Sequence, residues 1–91
     1  MKIVINGCYG GFGLSKRVMK ALGIEHEYEV ARTDKRLIEL VERCGSDYVS
    51  RGDCTSLEVV EIPDEATDWT IREYDGLETI IYVVDGKLHY A

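Results

Sequence analysis

Apolar and polar positions alternate or recur along the chain in a pattern that predicts six strands and two helices. Ile3, Val4 and Ile5 form a β-branched run, ended by Asn6-Gly7, that predicts a strand over 2–5. Leu14, Val18 and Leu22 recur every four residues, predicting a helix over 15–22 that Gly23 closes. Tyr28 and Val30 alternate with Glu27 and Glu29, predicting a second strand over 26–31. Leu37, Ile38, Leu40, Val41 and Cys44 trace one helical stripe, with Asp34 as N-cap and Gly45 as stop. Residues 46–56 lack periodicity and read as a loop, with local extension at 47–49 possible. A strand over 57–62 ends at the only proline, Pro63. Three apolar runs, 69–74, 77–84 and 87–90, are then separated by Asp75-Gly76 and Asp85-Gly86, both type I′ hairpin signals.

The order β-α-β-α-β-β-β-β predicts an α+β fold: a mixed, mainly antiparallel sheet with two helices on one face. The 91 residues suffice for a single domain over 1–91. Along 77–84 both strand faces are largely apolar, while two short helices cover only one side of a sheet. A symmetric partner subunit, in a dimer or tetramer, is the simplest cover for the other.

Composition narrows the function. Eleven Lys+Arg against seventeen Asp+Glu give a net charge of −6, which argues against wrapping duplex nucleic acid. No apolar run reaches the length of a membrane span. Cys8, Cys44 and Cys54 are odd in number, without C-x-x-C, and no secretory leader is legible, so a reduced intracellular protein is expected. Cys44 is expected to pack as a small hydrophobe. His26 and His89 show no ligand spacing to a cysteine, so neither metal nor cofactor is expected.

The densest chemical signal lies between the first strand and helix, where Asn6 to Ser15 carries Gly7, Gly10, Gly11 and Gly13. Glycines let amide N–H groups approach a ligand, and a helix start favours an anion, so this loop predicts phosphate or carboxylate binding. It matches neither a P-loop nor a dinucleotide-binding fingerprint. The competing reading is a loop whose glycines serve only tight packing. Lys16-Arg17 and Lys35-Arg36 open both helices, where cations oppose the helix dipole unless an anion is bound; solvated surface charges explain them equally well. Tyr9 and Phe12 flank Gly10-Gly11, a placement suited to stacking on a flat base. Catalytic motifs are lacking, and a non-enzyme is expected.

The strings KIVINGCYGGFGLS (2–15), RTDKRLIELVERCG (32–45) and LEVVEIPDEATDWTIREYDGLETI (57–80) resemble the signature blocks of a widespread family of small bacteriophage proteins. In that family the stretch before RTD is often longer than here. The resemblance implies a phage accessory protein. Its implied activity is that of a sponge sequestering, without cleavage, the cyclic nucleotide signals of bacterial anti-phage immunity such as CBASS, in the infected host's cytoplasm. It implies a ligand site drawn from Cys8, Tyr9, Gly10, Gly11, Phe12, Ser15, Lys16, Arg17, Arg32, Thr33 and Tyr74. Amides near Gly10 and Gly11, with Lys16 or Arg17, would hold phosphate; Tyr9 or Phe12 would stack on a base. Arg32 and Thr33 would join them if two parallel strands set both loops at one sheet edge. Tyr74 would reach in from a neighbouring subunit. The alternative function is inhibition of a host protein by direct binding.

Overall fold

The β-branched run at the amino terminus becomes β1 (Lys2–Asn6), in which Ile3, Val4, Ile5 and Asn6 are all buried. In the computed structural model, which describes residues 1–52 and 54–91, β1 is followed by α1 (Lys16–Leu22), α2 (Lys35–Cys44) and the single turn α3 (Ser46–Val49). Four strands complete the chain: β2 (Leu57–Glu61), β3 (Asp68–Tyr74), β4 (Leu77–Val84) and β5 (Lys87–Tyr90). The fold is α+β. β1 pairs antiparallel with β2, Lys2 opposite Glu61 and Asn6 opposite Leu57, and β3-β4-β5 form a separate antiparallel meander.

Period-two alternation sends β1 side chains to opposite sides, and each side has its own core. Val4 faces Leu14, Val18, Leu22, Leu37 and Val41 from the helical side, with Val30, Val49 and Leu57. Ile3 and Ile5 face Ile62 and Ile80, with Trp69, Ile71 and Tyr82 packed around them. The β1-β2 ribbon is therefore a middle layer between the helices and the meander.

Local chemistry sets the boundaries. The Ser15 hydroxyl accepts from the Val18 amide, and Gly23 closes α1 in the left-handed region at φ 72°. Asp75 and Asp85 at φ 51°, with Gly76 and Gly86 at φ 89° and 74°, make the two expected I′ turns. Asp34 caps α2 by accepting from the Arg36 amide at 2.8 Å. The Arg36 side chain also bonds Asp34, and this first, then the backbone bond, holds the Asp34 carboxyl below its usual value. Replacing Asp34 by alanine should cost about 1 kcal/mol. Because the folded pKa is depressed, the cap's contribution is complete above the unfolded pKa and lost as pH falls through the folded one. Urea unfolding from pH 6 down to 2 should show the wild type converging on the variant.

Three expectations change. No strand forms over 26–31: Glu27–Glu29 is a 3-10 turn, because the Glu29 carboxylate accepts from the Glu25 and His26 amides at 2.8 and 2.7 Å. Side-chain bonding to local backbone outcompetes extension there, and the apparent alternation fails, since Val30 is buried while Tyr28 is 82% exposed. The parallel pair expected from that strand is thus absent among the described residues; instead one bond, Val4 N–H to the Arg32 carbonyl at 2.8 Å, ties this segment to β1. The loop over 46–56 begins with α3 rather than extended chain, and its Asp53 lies outside the described residues. Finally, Cys44 is exposed rather than packed: it ends α2, where the helix outruns the core and a recess opens between Leu22, Leu40 and Arg43.

Candidate functional site

The glycine loop is anchored by the residue before it. Asn6 is fully buried; its Nδ2 donates to the carbonyls of Cys8 and Gly76, and its Oδ1 accepts from the amides of Cys8 and Ser56. One amide side chain thereby joins the loop, the β3-β4 turn and the segment before β2. Gly7 N–H donates to the Ser56 carbonyl at 2.8 Å, and Gly10 N–H to that of Cys54. Thr55 Oγ1 donates to the Gly11 carbonyl and the Arg51 guanidinium to that of Gly10, both at 3.1 Å. The Gly10 amide, expected to hold phosphate, is therefore engaged within the chain.

Close approach bears on two of the glycines. A Cβ on Gly13 would sit 2.7 Å from Arg51 Cζ, and one on Gly7 2.9 Å from the Glu58 carboxylate. Gly11 takes φ 84°, the left-handed region that other residues enter at a cost. Close approach thus bears on Gly7 and Gly13, and backbone conformation on Gly11.

Phe12 and Arg32 meet although the parallel strands do not form. The Arg32 guanidinium lies over the Phe12 ring at 3.6 Å from its centroid and pairs with both oxygens of Glu78, at 2.7 and 2.8 Å. It also donates to the Val4 carbonyl at 3.2 Å, while Glu78 accepts the Asn6 amide at 2.8 Å. β1, β4 and the approach to α2 are locked by this buried carboxylate.

Beside the Phe12–Arg32 pair opens a recess of about 470 Å3, lined by Phe12, Glu27, Tyr28, Val30 and Arg32. Tyr28 stacks on His26, ring centroids 5.2 Å apart. Arg51, its side chain 54% exposed, reaches from the Gly10 carbonyl to within 3.8 Å of Glu27. The recess combines an aromatic wall, a guanidinium already neutralised by Glu78, and a carboxylate. That set suits a flat, hydrogen-bonding ring better than a bare anion.

The remaining expected residues go elsewhere. Ser15 is an N-cap, Lys16 is exposed, and Arg17 stacks on Tyr48 at 3.9 Å. Cys8 is half-buried behind the Asn6 bonds, and Tyr9 is exposed with its carbonyl against Gly76. Thr33 lines a different recess with Met1, Lys2, Lys35 and Ile38, and Tyr74 stands on the outer face of the meander. Glu27, Tyr28 and Arg51 escaped the sequence reading. The alternation of side-chain types places Glu27 and Tyr28 on a strand, and Arg51 lies in an aperiodic loop with no cue to its reach. No helix among the described residues is long and apolar enough to cross a membrane. Comparison with family models, with curated proteins and with solved structures found no match.

Proposed function

We propose that the protein binds a cyclic nucleotide signal of bacterial anti-phage defence and sequesters it without cleavage, acting in the cytoplasm of an infected bacterium. The observation that carries this reading is the joining of Phe12 and Arg32 in one open recess. Tyr28 offers a face for a base beside the Phe12–Arg32 stack, the Glu27 carboxylate accepts from base N–H groups, and Arg51 is the nearby cation for a phosphate. The phage family resemblance supplies the ligand class, and a homo-oligomer with symmetric sites suits a two-fold-related cyclic ligand.

The test is calorimetric titration with a panel of cyclic and linear nucleotides, followed by heat release and chromatography of the ligand. A sponge binds one cyclic member and returns it intact. Tyr28→Ala, at a site 82% exposed and outside the core, should weaken binding roughly 5- to 100-fold with unchanged unfolding, the loss of one stacking partner. A shortened product, or no affinity for any nucleotide while a host protein is captured, overturns the reading.

A further inference from the structure

The meander has one face against the Ile3–Ile5 core and one face bare. Cross-strand register puts Asp68, Thr70, Arg72 and Tyr74 of β3 on the same side as Val83, Ile81, Thr79 and Leu77 of β4, with Leu88 and Tyr90 of β5 beyond. Tyr74 is 78% exposed, and Leu88 and Tyr90 are each 64% exposed. Two shallow recesses corrugate this face, one of about 240 Å3 bordered by Tyr74, Leu77 and Tyr90, the other of about 100 Å3 bordered by Ile81, Val83 and Leu88.

We infer that this face is the contact surface of a two-fold homodimer, the two meanders stacked face to face. Area and charge support a second copy. With tyrosines worth about 200 Å2 each, the patch is on the order of 500 Å2, near the upper end for a monomer's largest apolar patch. Two copies bury at most roughly 1,000 Å2, the lower limit for a specific interface. In a chain of net charge −6, the outward positions of β3, β4 and β5 carry only one anion, Asp68, and one cation, Arg72. They are four residues apart on β3, so a two-fold axis crossing that strand at Thr70 sets Asp68 of each copy opposite Arg72 of the other, about 7 Å to either side. A face that is neutral in itself and complementary to its own rotated copy suits self-association better than an unrelated partner. The inference does not depend on the nucleotide reading.

Sedimentation equilibrium of the full chain from 1 to 200 μM tests it. The wild type should reach a dimer. Asp68→Lys and Arg72→Glu should each weaken self-association at least tenfold, since each places like charges together at both contacts. Mixed in equal amounts they should form a heterodimer, because the introduced lysine of one copy then faces the introduced glutamate of the other, while the native Arg72 and Asp68 face each other at the second contact. Tyr90→Lys, at an exposed position that the same axis sets against its own copy, should be monomeric with native circular dichroism. A wild type that stays monomeric throughout, or single variants that associate as tightly as the wild type, overturns the inference. So does a mixture that stays monomeric, or a larger assembly indifferent to all three substitutions.

Discussion

Replacing Glu78 by alanine is expected to lower stability by about 3–5 kcal/mol, a large share of the roughly 5–14 kcal/mol expected for a domain of this length. Glu78 is buried, binds the Arg32 guanidinium through both oxygens, and takes the Asn6 amide. Its removal leaves a largely covered guanidinium without its counter-charge and a buried amide without an acceptor, two separate penalties. Glu78→Gln keeps an acceptor for Asn6 and should lose less. Arg32→Ala strands the carboxylate instead, and the double replacement should cost clearly less than the sum of the two, by at least about 1 kcal/mol, because each single variant already breaks the same pair. Urea unfolding of the four proteins reads the cycle. Additive losses would show that Arg32 and Glu78 contribute independently.

Gly76→Ala should cost about 3 kcal/mol, whereas Gly86→Ala at the equivalent turn position should cost about 1 kcal/mol. Both glycines have positive φ in I′ turns, so the conformational penalty is common to them. They differ in their neighbours: a Cβ on Gly76 would lie 2.1 Å from the Tyr9 carbonyl oxygen, while one on Gly86 would meet nothing within 4 Å. The turn is held there by Asn6 Nδ2 bonded to the Gly76 carbonyl, and the Gly76 amide donates to Glu73 Oε1 at 2.9 Å. With about 4–8 °C per kcal/mol for a domain of this length, the melting temperatures of the two variants should differ by about 10 °C. Equal values would mean that the glycine loop yields to the hairpin freely.

Patterns of short range were legible in the sequence. The Asp-Gly pairs, the Gly23 stop, the Asp34 cap and the α2 stripe fall where they were expected, because each is decided by residues within a turn or two. The segment 26–31 misled for the same reason: Glu29 closes onto two amides behind it, a local bond that the alternation of side-chain types does not display. Within the site, the proximity of Phe12 and Arg32 was expected from parallel strands and arises instead from the Val4–Arg32 bond and the Glu78 pair. Glu78 reads in sequence as one more acid on a strand; its burial depends on an arginine far away in the chain. Asn6 likewise reads as a turn residue, and its four bonds depend on Ser56 and Gly76 arriving together.

The middle layer also governs the order of assembly. Lys2 through Asn6 leave the ribosome ahead of every other element of the fold, yet their ladder partners are Glu61 back through Leu57, so this strand has nothing to zip onto until synthesis has passed β2. β3, β4 and β5, by contrast, join through tight turns and close within a few residues of one another. During translation the apolar β1 strand must therefore wait unpaired until β2 emerges, and its Ile3–Ile5 side stays uncovered until Ile80 of β4 follows.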